Sequence, residues 1–180
     1  MITYHIDRGH SLSDGQTLDL QKPYEDYPKH LEYIKALFPS GKVGMLGKKY
    51  TYPNYGDSAD NHNYIQETIF ELVRQKWFPD MPSRFRSFFS LESIEDVKHW
   101  LSFFVNDNAT EPIIWEVEVK DVLVLDAYWR DVRNTRTDLD PAHSFYAANQ
   151  YWSKQHYHES PRLEILSSFP VKVIRKVDLS

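Results

Sequence analysis

A short alternating segment comes first, then stretches of helical period, then mostly alternating segments; this order of hydrophobic periods is the tightest constraint the chain carries. Residues 2–6 are β-prone and predict a strand, followed by a turn from Gly9 to Gly15. Residues 28–38 predict a short helix. Residues 39–60, with Pro39, Gly41, Gly44, Gly47, Pro53, Asn54 and Gly56, predict a long mobile loop of the kind that often carries function. Residues 61–77 predict a helix with Ile65, Ile69, Leu72, Val73 and Trp77 on one apolar stripe, ended by Pro79 and Pro82. Arg84 to Ser90 predicts a strand. Ser93 and Asp96 have the spacing of a capping box, opening a helix with Ile94, Val97, Leu101 and Phe104 on one face. Strands follow at 113–119 and 122–125. Asp140-Pro141 then starts a helix with Ala142, Phe145, Asn149 and Trp152 facing one way, and strands at 163–166 and 170–174 close the chain. A strand, then helices, then mostly strands predicts an α+β fold, with helices packed on curved antiparallel sheets. Nothing repeats and no second domain is marked, so residues 1–180 read as a single domain.

Composition narrows the function classes. At 41% hydrophobic the chain can build a real core, and a net charge of −5 gives no global basic field toward nucleic acid or anionic lipid. The absence of cysteine excludes disulfide scaffolds, cysteine-ligated zinc, iron–sulfur clusters and thiol nucleophiles. The N-terminus lacks the features of a signal peptide, and no stretch approaches the ~20 apolar residues that span a bilayer. The expectation is a soluble, cytoplasmic protein with no membrane partner. All six glycines fall in the first 56 residues, where a ligand could approach the main chain closely. Aromatic residues reach 15%, and their rings serve cores or stack on flat rings such as nicotinamide or bases.

Several motifs are absent. There is no GxGxxG, and Gly41 to Lys49 has the wrong spacing for a Walker A loop, with no Ser or Thr after the lysine. HExxH and GxSxG are missing too. His156 and His158 could both ligate a metal but lack an obvious third ligand, so no metal is expected.

Three pieces stand out in order. The first is Tyr4-His5 on the first strand, followed by Arg8 and the turn through Leu12, Gly15 and Leu18. The second is Ser83 to Ser90, leading into the capped helix. The third is Tyr151-Trp152, a polar loop from Ser153 to Arg162, and the strands at 163–166 and 170–174. Taken together they resemble the ADP-ribosyltransferase superfamily, in its His–Tyr–Glu branch. Residues 4–12 and 78–90 are similar to a family of small bacterial proteins of that superfamily. The resemblance covers nearly the whole chain and rests on order and spacing. It implies an ADP-ribosyltransferase-like fold, two curved antiparallel sheets with flanking helices around an NAD cleft.

The resemblance assigns roles residue by residue. His5 corresponds to the histidine that holds the NAD ribose through its hydroxyls, for which imidazole offers one donor and one acceptor. Glu164 corresponds to the catalytic acid, with Glu159 as a rival. A carboxylate there stabilises positive charge on the ribose and orients its 2′-hydroxyl. Where the branch has a tyrosine stacking on nicotinamide, this chain has Phe88 or Phe89, which stack but cannot hydrogen-bond. Ser87 and Ser90 are candidates for the carboxamide, and Tyr146 or Tyr151 for the missing phenol. Tyr4 belongs to the same NAD-binding set, and Arg8, Arg84 and Arg86 are candidate diphosphate ligands, since guanidinium matches phosphate bidentately. The alternative for each is structural: a satisfied histidine, an edge glutamate facing water, a core phenylalanine, a surface arginine.

In this superfamily the loop before the acid meets the acceptor, which here gives Gln155, His156, Tyr157 and Arg162. Members that modify arginine usually carry Glu or Gln two residues before the acid. Arg162 stands at that position and argues against an arginine acceptor. The loop's aromatic, basic and amide groups suit a base and its phosphate. Arg130, Arg133 and Arg136 recur every three residues and line a helical turn or a salt-bridged face. The resemblance thus implies a small bacterial toxin of a toxin–antitoxin or phage-defence module, using NAD as substrate, with RNA or another nucleic acid as acceptor and an antitoxin as partner. The net charge of −5 weighs against RNA, because affinity for it depends on phosphate neutralisation. The alternatives are a protein acceptor, NAD hydrolysis alone, and a non-catalytic NAD- or nucleotide-binding module.

Overall fold

A computed structural model describes residues 1–22, 28–51, 58–103, 111–131 and 141–179. In chain order the elements are β1 (Ile2–Asp7), β2 (Thr17–Leu18), α1 (Pro28–Leu37), α2 (Met45–Thr51), α3 (Ser58–Trp77), β3 (Phe88–Ser90), α4 (Ile94–Leu101), β4 (Ile113–Asp126), α5 (Pro141–Trp152) and β5 (Leu163–Val177). Short 3₁₀ turns lie at Arg84–Arg86 and Ala127–Arg130.

The expected α+β character holds, but the strands form one antiparallel five-stranded sheet instead of two. β4 pairs with β1 on one side and with β5 on the other, while β2 and β3 share the far edge of β5. The two strands expected at 113–119 and 122–125 are one strand, irregular in register around Lys120, beside Asp121 with φ 48°. The last two strands likewise merge into β5. Long strands of this kind twist. Here the sheet curls until Leu91, just after β3, exchanges both backbone bonds with Tyr4 of β1, at 2.9 and 2.8 Å.

Two helices face differently from the periodic reading. On α3, Ile65, Leu72 and Trp77 are about half exposed, at 48%, 48% and 51%, whereas Gln66, Glu67, Phe70, Glu71 and Val73 are buried. Carboxylates turn inward here because arginines meet them: Arg84 and Arg130 bind Glu67, and Arg74 binds Glu71. On α5, Ala142, Phe145 and Asn149 face outward, and Ala147, Ala148, Tyr151 and Trp152 pack with Phe70, Val73, Leu125 and Leu166. The two alanines allow α3 and α5 to lie close. Asp140, the expected cap, lies outside the described residues, as does Phe104 of the α4 stripe. The capping box at Ser93 and Asp96 is formed, with reciprocal bonds of 3.1 Å.

The expected loop at 39–60 contains α2 and the start of α3; its Pro53, Asn54 and Gly56 lie outside the described residues. Gly44 and Gly47 serve close packing. A Cβ on Gly47 would stand 2.0 Å from the carbonyl oxygen of Phe85, and Gly44 N–H donates to that same oxygen at 2.8 Å. The glycines therefore press α2 onto the 3₁₀ turn that carries Arg84. That turn also breaks the strand expected from Arg84, leaving Phe88–Ser90 as the part paired in the sheet. No helix among the described residues is long and apolar enough to cross a membrane.

Candidate functional site

A cleft of about 180 Å³ opens beside the Tyr4–Leu91 junction. β1 supplies Tyr4, His5 and Ile6 to its wall, with Arg8 just beyond. Phe89, Ser90 and Leu91 come from β3 and its end, Leu46 and Tyr50 from α2, and Trp100 from α4. Arg84, Arg130 and Glu164 complete it. Concave walls that are mostly apolar and aromatic, with a few convergent polar groups, are the kind of lining found in small-molecule sites.

His5 Nδ1 lies 2.7 Å from the carbonyl oxygen of Phe89. That oxygen can only accept, so Nδ1 carries the hydrogen and Nε2 of the neutral ring is left as an acceptor. Burial pulls the imidazole below its ordinary pKa, and the Phe89 carbonyl and Asp7 offset this only in part. His5 is therefore neutral at pH 7. Asp7, itself buried, fixes the turn after β1 by accepting from the N–H groups of Gly9, Ser11 and Leu12.

Glu164 enters the cleft from the start of β5, as its second residue, opposite Leu125. Its Oε1 accepts from Arg84 Nη1 at 2.5 Å and from the Tyr151 hydroxyl at 2.8 Å. Both bonds fall on one oxygen, which leaves Oε2 clear of them in a residue that lines the cleft. Arg84 also donates to Tyr151 and is gripped from behind by Glu67, with Nε to Oε2 at 2.8 Å and Nη2 to Oε1 at 3.1 Å. Arg130 donates to the same Glu67 Oε1.

Burial alone would push these groups toward neutrality, and the pairing decides otherwise. Burial raises the Glu67 carboxyl, yet Arg84 and Arg130 outweigh it and hold the group below its ordinary value. Burial disfavours the Arg84 charge, and Glu164 and Glu67 more than restore it. Burial drives the Tyr151 phenol well above its usual range; Arg84 opposes and Glu164 reinforces the rise, so Tyr151 remains a donor. Two arginines against two glutamates leave this buried cluster electrically balanced.

Of the residues expected at an NAD site, Tyr4, His5, Arg8, Arg84, Phe89, Ser90 and Glu164 share the cleft wall, but Arg84 is held by Glu67, Glu164 and Tyr151 instead of being open to a diphosphate. Phe88 is core, 2% exposed among Leu12, Leu18 and Trp115, because strand alternation turns it away from Phe89. Ser87 is buried beside it, and its hydroxyl donates to the Ser83 carbonyl at 2.8 Å. Tyr151 stands one layer behind the wall, on Glu164, while Tyr146 is 54% exposed against Trp129. Arg86 is not on the wall, and Glu159 is exposed, which leaves Glu164 as the cleft's acid.

The acceptor loop differs most. Gln155 and His156 are exposed and Tyr157 packs on Tyr128 and Trp129; none of them lines the cleft. Arg162 is 4% exposed, pairs with Asp131 at 3.0 Å, and has its guanidinium within 4.8 Å of the ring centres of Trp100, Phe103 and Tyr128. It is unavailable to a substrate and supports the cleft only through Trp100. Buried Asp126 causes this: it accepts from Tyr157 N–H at 2.8 Å and Arg162 N–H at 3.1 Å, folding the loop back on the second 3₁₀ turn. Arg133 and Arg136 lie outside the described residues. No group of three His, Cys, Asp or Glu that could hold a metal occurs among the described residues.

Sequence reading missed Leu46, Tyr50, Trp100, Glu67 and the cleft role of Arg130. Glu67 and Glu71 are four apart and flank Phe70, a spacing that puts acids on the core face. Gly44 and Gly47, three apart, mark a close-packed helix start. Residues 3–179 match the model of a family described as a protein of unknown function, DUF2441. No curated protein matches the chain.

Proposed function

The chain belongs to the DUF2441 family, and we propose that it is an NAD-dependent ADP-ribosyltransferase with a nucleic acid, RNA in this reading, as acceptor. The observation that carries the reading is a neutral His5 offering Nε2 and a Glu164 offering Oε2 on the walls of one cleft. Two acceptors suit the hydroxyls of a ribose. Phe89 and Trp100 offer rings for stacking, and Arg8 and Arg130 offer guanidinium groups for a diphosphate.

In this reading His5 orients the nicotinamide ribose and Glu164 stabilises the positive charge that develops on it. The bond between C1′ and the nicotinamide nitrogen breaks, and its electron pair leaves with neutral nicotinamide. The acceptor nucleophile forms the new bond to C1′ and releases its proton. Tyr151 and Arg84 keep Oε1 fixed so that only Oε2 faces the ribose. Gln155, His156 and Tyr157 stand on the outer loop as acceptor contacts. A toxin acting in its own cell requires a neutralising protein, so an antitoxin partner is part of the proposal. A second reading, a nucleotide-binding module without catalysis, is favoured by Phe89, which carries no phenol, and by the tight hold of Arg84 on Glu164.

The test is NAD consumption by the purified protein with and without total cellular RNA, followed by mass spectrometry of RNA and protein, with Glu164→Ala as control. RNA-dependent nicotinamide release, abolished by the substitution, is expected. Label on protein alone moves the acceptor, and NAD binding in calorimetry without turnover selects the binding module.

A further inference from the structure

Glu67 is 1% exposed on α3 and is no part of the cleft wall, yet it holds two of the cleft's cations. Its grip on Arg84 is bidentate. Arg84 commits its remaining Nη1 to Glu164 and Tyr151, so that every nitrogen of that guanidinium is engaged. Arg130 is engaged less fully. Its side chain is 21% exposed at the cleft, one Nη donates to Glu67, and its buried Nε finds no hydrogen-bond partner among the described residues.

We propose that Glu67 is a positioning residue that sets the cleft's affinity for an anionic ligand group by competing for Arg130, while its other contacts fix Arg84 against Glu164. A carboxylate bonded to a guanidinium cancels much of the field that the guanidinium presents to a phosphate, and repels the phosphate itself. The effect is strong where water is excluded. The arrangement keeps the cleft's anion affinity moderate without touching the ligand. The inference rests on the nucleotide reading only for the identity of the natural ligand. Inorganic pyrophosphate serves as the probe.

Pyrophosphate is titrated calorimetrically, at one ionic strength, into wild type, Glu67→Gln, Arg130→Gln and the double variant, with a melting curve for each. Glu67→Gln is expected to bind about threefold tighter or more, and the gain is expected to vanish in the Arg130→Gln background. A residue that only stapled α3 to the sheet would lose affinity and melting temperature together, so tighter binding separates the two roles. Unchanged or weaker binding by folded Glu67→Gln overturns the proposal. An equal gain without Arg130, or no pyrophosphate binding to either chain, does so too. Should Glu67→Gln fail to fold, Arg130→Gln decides: Glu67 already engages this cation, so its loss is expected to cost less than about threefold, and a larger loss refutes the idea. NAD binding and turnover are measured in parallel. If both are absent from wild type while the pyrophosphate pattern appears, the nucleotide reading fails and this inference stands. NAD binding with pyrophosphate affinity indifferent to Glu67 gives the reverse.

Discussion

At the scale of single residues, His5 links protonation to both stability and ligand contact. Its folded pKa lies below the ordinary value of 6.5, chiefly through burial. Between those two values the unfolded chain binds more protons than the folded one, so stability falls as pH drops below about 6.5. The same protonation converts Nε2 from acceptor to donor and removes the contact proposed for a ribose hydroxyl. Melting temperature measured from pH 8 down to pH 5 is expected to decline on the acid side in wild type. His5→Gln, which keeps a donor for the Phe89 carbonyl but does not titrate, is expected to flatten that decline. An identical slope in both proteins would show that other groups govern acid stability. Tyr151 makes a second residue-scale case. Tyr151→Phe leaves its ring packed against Phe70 and Trp152 but withdraws a buried donor from Glu164 and an acceptor from Arg84. A loss of about 1–3 kcal/mol in urea denaturation is expected.

At the scale of elements, α2 decides the shape of the cleft's mouth, and its glycines decide where α2 lies. Gly47→Ala would put a methyl 2.0 Å from a backbone oxygen that cannot swing away, so α2 must lift and carry Leu46 and Tyr50 with it. Overpacking of this sort costs about 1–3 kcal/mol. Gly15→Ala is the control: it meets nothing within 4 Å and is disfavoured only by its φ of 71°. Both variants are expected to melt earlier, but only Gly47→Ala should also weaken NAD binding in calorimetry. These glycines also show what was legible. Their clustering before residue 57 is visible in the sequence, and it points to close approach of the main chain. That the approaching partner is the Phe85 carbonyl depends on a contact between residues far apart along the chain. β1, the capped α4 and the strand positions of His5 and Glu164 were readable because local pattern fixes them, whereas only the resemblance put His5 and Glu164 in one site. The inward face of α3 was not, since burying Glu67 and Glu71 makes sense only once Arg84, Arg130 and Arg74 are known to meet them.

At the scale of the whole molecule, the Glu67, Arg84, Glu164 and Tyr151 cluster joins α3, the turn before β3, α5 and β5 at one point, with Arg130 drawing in the end of β4. Charges held this deep are costly unless every partner stays in place. Arg84→Met keeps much of the side-chain volume but leaves two buried glutamates facing Arg130 alone. We expect a destabilisation of about 3–5 kcal/mol, because an uncompensated buried charge is the costly outcome and not the loss of an attraction. The exposed Arg175–Glu116 pair offers the contrast: Arg175→Met should leave the denaturation midpoint unchanged, since water and salt screen it. The cluster also fixes the acid limit of the fold. Burial would raise the Glu67 carboxyl, but its two arginines hold it below the ordinary 4.5, so its contribution is present above that pH and is lost as pH falls through the folded value. In Arg84→Met the arginine support is halved and burial prevails, so acid unfolding should begin at a higher pH than in wild type. Circular dichroism across an acid titration of the two proteins measures the difference. Coincident transitions would mean that the cluster does not hold these elements together, and that the shared packing of α3 and α5 through Phe70 and Trp152 carries the fold instead.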